Sequence, residues 1–375
     1  MTMRTHLLIA SALGLWACGD RDFNKPARLD KPRVLAIKAD PPQPSFGVAT
    51  TLSTLLYQPP LERVADACPN PTETTYEWSW CPWPVSANDN YACPLPEENF
   101  RVLYASLGLG QPPSYSLGTG ATVTFTNPFP ATVLYALCRG DIGSTLSGLV
   151  SVAGVDGGAG ASVFDCDLPA TDYNLSDPAE TTPIGFKVNV MVKVTPACPS
   201  LLTTGFSPLT AVYSLHLPTR DAIEVNHNPN LAAISLPNLA TDLAKRDRHV
   251  DLQLAIDIGQ SEHMTVPATI DYDSSNGRTR RYEHLSFSWY AEAGDFRGRG
   301  KGDSTGYLPT SQPPGEDAGP NADDLSNFAF NTSNEWDSPK QEDYSYSTAA
   351  IVVVVRDGRG GVGWASTQVA LETTP

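Results

Sequence analysis

The chain has 375 residues and a formal charge of −16 at pH 7, with 41 acidic against 25 basic side chains. An acidic surface of this kind argues against nucleic acid or anionic lipid headgroups as partners. The 29 glycines and 33 prolines are too many for a helical protein and are typical of a turn-rich β protein, and the length favours two domains.

The N-terminal residues have the pattern of an export signal. Arg4 precedes an apolar run over residues 7–17, which ends in Leu15-Trp16-Ala17-Cys18. The run is about eleven residues long, which suits a signal peptide, whereas a membrane-spanning helix needs about 20. The last four residues resemble the lipobox of bacterial lipoproteins, although Trp16 stands where that motif usually has a small or polar residue.

The lipobox resemblance implies that residues 1–17 are removed and that acyl chains are attached to Cys18. Two or three such chains hold a protein firmly, because each buried CH₂ contributes about 0.8 kcal/mol. Gly19 follows the cysteine and favours the outer membrane of the cell envelope. The polar, charged and Pro-containing residues 18–32 are expected to be a tether. The alternative is an ordinary secretory signal in which Cys18 occurs by chance.

Six further cysteines all lie before residue 200. An even number in an exported chain predicts three disulfides, and fifteen pairings remain open. A metal site is disfavoured because no CxxC motif occurs and no histidine neighbours a cysteine, so neither a metal nor a cofactor is expected. The asymmetry predicts one disulfide-containing domain at residues 33–220 and a second without cysteine at 226–373. The six are Cys68, Cys81, Cys93, Cys138, Cys166 and Cys198.

In the first unit, apolar and polar residues alternate with the period of two that half-buried antiparallel strands require. One helix is predicted between Pro96 and Gly108, with acidic residues in its first turn and glycine at its end. The Gly-rich stretch 140–182 is predicted to be an inserted loop. The predicted strands are RVLAIKA, ATTLSTLLY, TYEWSWC, TVTFT, ATVLYALC, FKVNVMVKV and AVYSLHL.

The second unit repeats the order of features of the first. Each unit has a strand centred on tryptophan, at Trp80 and Trp289, as an immunoglobulin-like sandwich does at the strand that faces the opposite sheet. The fold class is therefore all-β, with two immunoglobulin-like or PKD-like β-sandwich domains in tandem. A second insertion is predicted at residues 294–344. The predicted strands are NLAAISL, VDLQLAIDI, HLSFSWYAEAG, TAAIVVVVRDG and GWASTQVAL.

The segments RVLAIKADPP, LSFSWYAEAG and VVVVRDGRGG resemble those of large myxobacterial lipoproteins that carry Ig-like or PKD-like repeats. The last segment is similar to the final hairpin of PKD repeats, where Asp-Gly turns the chain between strands. The central Trp-Asp-Phe-Gly-Asp-Gly stretch of PKD domains is absent, and Ser288-Trp289-Tyr290 stands there. The resemblance implies a surface or periplasmic module without a defined activity.

Two short motifs carry possible chemistry. The stretch 302–306 matches G-x-S-x-G around Ser304, but a nucleophile elbow needs a strand before it and a helix after it, and this stretch follows a basic, glycine-rich loop. Residues 271–277 resemble a calcium loop, with Asp317, Asp323 and Asp324 as further candidate ligands. A turn between strands is the favoured interpretation, since an extra residue separates the last ligand from the glycine.

Aromatic residues offer a possible carbohydrate platform. Tyr76, Trp78 and Trp80 share a strand face and are interpreted as core, whereas Trp83 and Trp336 are predicted to be exposed in loops. With no catalytic set in the sequence, the hypothesis is a non-catalytic, membrane-anchored module. Its partners would be the membrane, through the Cys18 lipid, and a protein or glycan ligand. The alternative is a hydrolase or a calcium-dependent carbohydrate-binding protein built on the insertions.

Overall fold

A computed structural model describes residues 27–139, 185–202, 208–218, 226–239, 243–256, 263–267, 278–282, 285–297, 303–304, 333–357 and 360–372. These residues form eighteen strands and two α-helices, with three short 3-10 helices at Leu61–Arg63, Ala87–Asp89 and Pro199–Leu201. The fold is all-β, as the sequence predicts. Its buried residues form two main hydrophobic cores, one for each unit, and a third cluster between the units.

The first unit is a sandwich of two antiparallel sheets. Its strands are β1 (Arg33–Asp40), β2 (Ala49–Tyr57), β3 (Thr75–Cys81), β4 (Ser116–Thr119), β5 (Thr122–Thr126), β6 (Gly185–Thr195) and β7 (Leu209–Pro218). One sheet has the order β1-β2-β5 and the other the order β4-β3-β6-β7. Six of the seven strands coincide with segments that the alternating pattern predicts. The exception is β4, which is short and largely exposed.

Two helices accompany the first sandwich, α1 (Glu97–Ser106) and α2 (Ala131–Arg139). Helix α1 confirms the predicted helix, whereas α2 corrects the prediction that ATVLYALC is a strand. The physical reason is the spacing of its buried side chains, because Leu134, Leu137 and Cys138 recur three and four residues apart, as on one face of a helix.

The first core is built around the indole of Trp80 on β3. Its ring lies 5.6 Å from that of Phe100 on α1 and 5.3 Å from that of Phe125 on β5, in edge-to-face geometry. Such pairs contribute about 0.5–1.5 kcal/mol beyond the area they bury. The indole N–H donates to the carbonyl of Ser114 at 2.8 Å, so this fully buried side chain leaves no polar atom unsatisfied.

The second unit repeats this topology. Its strands are β8 (Leu231–Ser235), β9 (Leu243–Ala244), β10 (His249–Ile256), β11 (His263–Pro267), β12 (Arg278–Tyr282), β13 (Ser286–Ala291), β14 (Asp295–Arg297), β15 (Asp303–Ser304), β16 (Ser333–Asp337), β17 (Thr348–Arg356) and β18 (Val362–Leu371). The two sandwich sheets have the orders β14-β16-β10-β8 and β15-β13-β17-β18-β9, while β11 and β12 form a separate hairpin.

Both units follow the immunoglobulin-like arrangement, in which the first, second and fifth sandwich strands form one sheet and the third, sixth and seventh the other. In the first unit these sheets contain β1-β2-β5 and β3-β6-β7, and in the second β8-β10-β16 and β13-β17-β18. In each unit a buried tryptophan lies on the third strand, Trp80 on β3 and Trp289 on β13.

Strand β16 lies inside the stretch 294–344 that the sequence predicts to be an insertion. It pairs with β10 over residues 333–337, and Trp336 lies opposite Val250 in that register. The tryptophan is fully buried, and its indole donates to the carbonyl of Ala293 at 2.9 Å. Part of the predicted insertion is therefore a central strand of the second sandwich.

Candidate functional site

The two sandwiches share a buried apolar seam. Leu35 and Ala36 on β1 pack with Val352 and Val354 on β17 and with Val362 on β18. Strand β17 is consequently buried on both faces, since Ile351, Val353 and Val355 enter the second core while the intervening valines enter the seam. An uninterrupted apolar run such as AIVVVV is what a strand covered on both sides requires.

A buried ion pair crosses the seam beside these valines. The carboxylate of Glu292, which directly follows β13, has a side chain only 3% exposed. It accepts a hydrogen bond from the guanidinium of Arg63 at 2.7 Å, from the hydroxyl of Tyr57 at 2.9 Å and from the backbone N–H of Ala350 at 2.7 Å. Two of these donors belong to the first sandwich, so the charge of the second domain is satisfied largely by the first.

The guanidinium of Arg63 is itself enclosed by residues of the second domain. It lies 4.7 Å from the ring centroid of Tyr346 and 5.6 Å from that of Tyr344. It also donates to the hydroxyl and the carbonyl of Thr348 at 3.0 and 3.2 Å. Planar stacking and several directed donors are the properties in which arginine differs from lysine, so this position is specific for arginine.

The surroundings fix the protonation states of this cluster. Burial alone would lower the pKa of Arg63, but its hydrogen bond to Glu292 and the negative charge of that residue outweigh burial and raise the pKa. Burial, followed by the charge of Glu292, raises the pKa of Tyr57 well above its ordinary value. At neutral pH the phenol stays protonated and the arginine charged. The hydrogen-bonding groups of these three residues are paired with one another. Such a paired cluster is typical of a structural junction.

A groove of about 370 Å³ lies beside the same seam, next to the β17–β18 hairpin. It is lined by residues 34–37 of β1, by Ala211–Tyr213 of β7 and by Arg356 and residues 360–362 of the β17–β18 hairpin. The hydroxyl of Tyr213 donates to the carbonyl of Gly360, and the guanidinium of Arg356 donates to the carbonyl of Leu35 at 3.2 Å. These contacts cross between the domains, so the polar groups of the groove also tie the sandwiches together.

The predicted tether does not run free through its last residues. The N–H of Leu29 donates to the carbonyl of Ala291 at 2.8 Å, and the N–H of Ala291 donates to the carbonyl of Ala27 at 2.9 Å. Leu29 is buried in the seam. The chain is thus paired with β13 of the second sandwich before it enters β1 of the first, whereas the sequence predicts a tether throughout 18–32.

Both tryptophans predicted to be exposed are buried, so that prediction is wrong. Trp83 is 4% exposed and packs in the first core, where its carbonyl accepts a hydrogen bond from the amide of Asn189 at 2.9 Å. Trp336 is 0% exposed because it lies on β16 rather than in a loop. The interpretation of Trp78 and Trp80 as core is confirmed. The carbohydrate platform therefore has no support from these side chains.

Ser304 lies in the two-residue strand β15, opposite Phe287 of β13. Ser304 is itself paired within an edge strand, whereas a nucleophile elbow holds its serine in the sharp turn after a strand. The residues that follow it, 305–332, lie outside the described part of the chain. The calcium-loop candidates and Cys18 lie outside the described residues. The same holds for Cys166 and for the acidic residues 317, 323 and 324.

Two disulfides are present among the described residues, which confirms that expectation for four cysteines. Cys68 is bonded to Cys198, and Cys81 is bonded to Cys93. Cys138 is disulfide-bonded as well. The first of these bonds joins the segment between β2 and β3 to the segment between β6 and β7, and the second closes a short loop after β3. Both lie in the first sandwich.

A cluster of charged side chains occupies the outer face of the sheet that contains β10, β14 and β16. His249 and Asp251 on β10 lie opposite Asp337 and Glu335 on β16, and Arg297 on β14 lies beside them. The imidazole Nε2 is 2.9 Å from a carboxylate oxygen of Asp251 and 4.0 Å from one of Glu335.

Sequence reasoning looked for metal ligands only at the cysteines and in the calcium-like loop, and so missed this cluster. Its signal is the pair of tripeptides His-Val-Asp at 249–251 and Glu-Trp-Asp at 335–337. In each of them two polar side chains flank a buried one, as on a strand.

The fold and these features define an all-β, immunoglobulin-like protein with two sandwiches and a shared seam. No protein-family model and no curated protein matches the chain. Among solved structures it is similar to murine CEACAM1b, at 11% identity over 90% of this chain and 99% of that one, with a TM-score of 0.21.

A three-domain fragment of the outer capsid protein Hoc of bacteriophage RB49 is similar at 10% identity over 92% of this chain and 99% of that one, with a TM-score of 0.16. Agreement at this level supports no conclusion about function. Among the described residues, no helix is long and apolar enough to span a membrane.

Proposed function

We propose that the protein is a cell-envelope lipoprotein, held to a membrane by acyl chains on Cys18, that acts as a non-catalytic binding or scaffolding module. Its two sandwiches would form one rigid body that presents a protein or glycan partner with surfaces at a fixed separation. The observation that carries the scaffolding role is the buried pair of Arg63 and Glu292, which joins the two domains.

The chemistry of the junction supports rigidity. A charge removed from water is stable only when it is paired and hydrogen-bonded, so opening the seam would require Glu292 and Arg63 to be solvated again. The same opening would expose the apolar residues of β1 and β17. Burial of apolar surface contributes about 25 cal/mol per Å², and both effects favour the closed arrangement.

Export is supported by the cysteines. Disulfides form and persist in oxidising compartments outside the cytoplasm, and at least two are present here. The lipobox-like residues 15–18 add the attachment point. The non-catalytic part of the proposal is supported by the junction cluster, in which Arg63, Tyr57 and Glu292 satisfy one another.

The test is to produce the full chain in a bacterium with a lipoprotein pathway, with radiolabelled palmitate in the medium. The natural chain should carry label and sediment with membranes, whereas Cys18→Ser should lose the label and appear in the soluble periplasmic or secreted fraction. Ser11→Ala, which leaves the cysteine in place, serves as the matched control and should behave as the natural chain does. Unchanged membrane partition of Cys18→Ser would rule out the anchor.

A further inference from the structure

We propose that the outer face of β10 and β16 binds a divalent transition-metal ion, with Zn²⁺ as the best fit, through His249, Asp251 and Glu335. This inference is independent of the membrane anchor, and the site would lie on the second sandwich. It departs from the expectation of no metal drawn from the cysteines, because the donors here are one imidazole and two carboxylates.

The backbone places the three donors together before any metal is present. Asp251 and Glu335 are direct cross-strand partners, and His249 lies two residues before Asp251 on the same face of β10. Between these positions Val250 and Trp336, both fully buried, point into the core. The strands that carry the donors are therefore fixed by packing. A metal that binds to such strands orders the chain less, and so costs less conformational entropy, than one that binds to a loop.

The distances are close to those of a zinc site. The three donor atoms all lie within 4.8 Å of one another. A tetrahedral zinc ion with bonds of about 2.0–2.2 Å holds its ligand atoms about 3.3–3.6 Å apart. The separations of Nε2 from Asp251 and Glu335, 2.9 and 4.0 Å, lie on either side of that value, so small side-chain rotations suffice. Three protein ligands leave a fourth position for water or a partner's donor.

The other nitrogen of the same imidazole gives separate support for the site. Nδ1 of His249 is shielded from solvent and makes no hydrogen bond. It lies 3.9 Å from a carboxylate oxygen of Asp337, whose other oxygen accepts from Arg297 at 2.6 Å. A metal-ligating histidine almost always donates its second N–H to a carboxylate or carbonyl, which orients the ring. We assign that positioning role to Asp337.

Imidazole among the donors selects the metal. Zn²⁺ accepts nitrogen and carboxylate ligands in a small coordination shell, whereas Ca²⁺ takes six to eight oxygens and Mg²⁺ prefers carboxylate and water. The charged groups around the imidazole are Asp251 on its own strand, Glu335 and Asp337 on β16, and Asp295 and Arg297 on β14. Carboxylates outnumber the single arginine, so a bound cation would relieve their mutual repulsion.

Calorimetric titration of the full chain with ZnCl₂ at pH 7.5 tests the proposal. One equivalent should bind, and Mg²⁺ at the same concentration should give no saturable heat. His249→Ala, Asp251→Asn and Glu335→Gln should each weaken binding at least tenfold. Glu342→Gln, an exposed acid away from the cluster, is the matched control and should bind as the natural chain does. Circular dichroism checks that each variant is folded.

One further readout separates this site from adventitious zinc binding. Asp337→Asn should weaken binding about tenfold through the orientation of the ring, while the stoichiometry stays at one. Equal zinc affinity in His249→Ala and the natural chain, or no binding by the natural chain, would overturn the proposal.

Discussion

The two sandwiches reach the same strand order with different cores. The first surrounds Trp80 with aromatic rings from β5 and α1, and its outer segments are joined by disulfides. The second has no cysteine and relies on the valines of β17, together with Trp289 on β13 and Trp336 on β16. Immunoglobulin-like topology thus constrains where a large side chain must stand on the third strand, but it does not dictate how the rest of the core is filled.

The two domains also differ in what supplements their cores. The first sandwich closes its core with its own helices and covalent bonds. In the second, the outer face of β17 carries Val352 and Val354, which would be exposed to water if the first domain were not packed on them. An apolar patch of this kind needs a cover. The second domain therefore obtains part of its stability from the junction, and the first obtains part of its own from disulfides.

The largest effect expected from this contrast comes from removing the long-range disulfide. Cys68 and Cys198 are 130 residues apart, and closing so long a loop contributes about 5 kcal/mol in the chain-entropy description. The double variant Cys68→Ala/Cys198→Ala should lose up to about that amount in urea unfolding. Hydrogen exchange should show the loss in β3 and β6, with β10 and β16 still protected.

The short disulfide provides the control for that experiment. Cys81 and Cys93 are 12 residues apart, and the same description gives about 3 kcal/mol for their loop. Cys81→Ala/Cys93→Ala should therefore cost less than the long-range pair. An equal loss of protection in both sandwiches after either change would show that disulfides support the whole molecule, and the contrast between the domains would fail.

The second prediction concerns the junction. Arg63→Ala leaves the buried carboxylate of Glu292 without its counter-charge, and breaking a buried pair in this way costs about 3–5 kcal/mol. Thermal unfolding should show the loss, and small-angle scattering should show a wider distribution of shapes as the seam opens. Arg101→Ala is the control, since its pair with Glu97 on the surface of α1 is worth only about 0.3–0.5 kcal/mol. Similar losses for both arginines would contradict the junction's role.

The third and smallest effect compares one glycine from each sandwich. Gly294, with φ +77°, would place an added Cβ 2.2 Å from the carbonyl of Asp337 and 2.6 Å from the indole nitrogen of Trp336. Gly108, with φ +72°, would place it in open space. Gly294→Ala should cost roughly 2–3 kcal/mol through overpacking and strain, and Gly108→Ala roughly 1 kcal/mol through strain alone. Chemical denaturation measures the free energy of unfolding of both variants. Equal losses would mean that the turn after β13 shifts to make room for the added methyl group.

Most strands could be predicted from the sequence because burial on one face imposes alternation, as in FKVNVMVKV of β6. The same rule failed at α2. Apolar residues of ATVLYALC recur at the spacing of a strand and also at that of a helix, and only the set of side chains that is buried in the structure identifies the helix. It also failed at β16, because SNEWD is short and polar except for its one buried side chain, Trp336. Alternation over so few residues resembles a loop.

The candidate sites were less accessible to sequence reasoning, since they depend on residues far apart in the chain. Arg63 and Glu292 are brought together by docking of the domains, and nothing local to either residue indicates the other. His249 and Glu335 meet through strand pairing across an intervening stretch. The uninterrupted valines of β17 were the one available signal of the junction, because a strand with no polar face must be covered on both sides.

The pairing of residues 27–29 with β13 determines how tension enters the molecule. A pull on the chain before residue 27 reaches the second sandwich first, through the two backbone hydrogen bonds to Ala291, and only afterwards β1 of the first. The domain that comes later in the sequence is therefore the mechanically proximal one. The disulfide-bonded domain is loaded only after these two hydrogen bonds have broken.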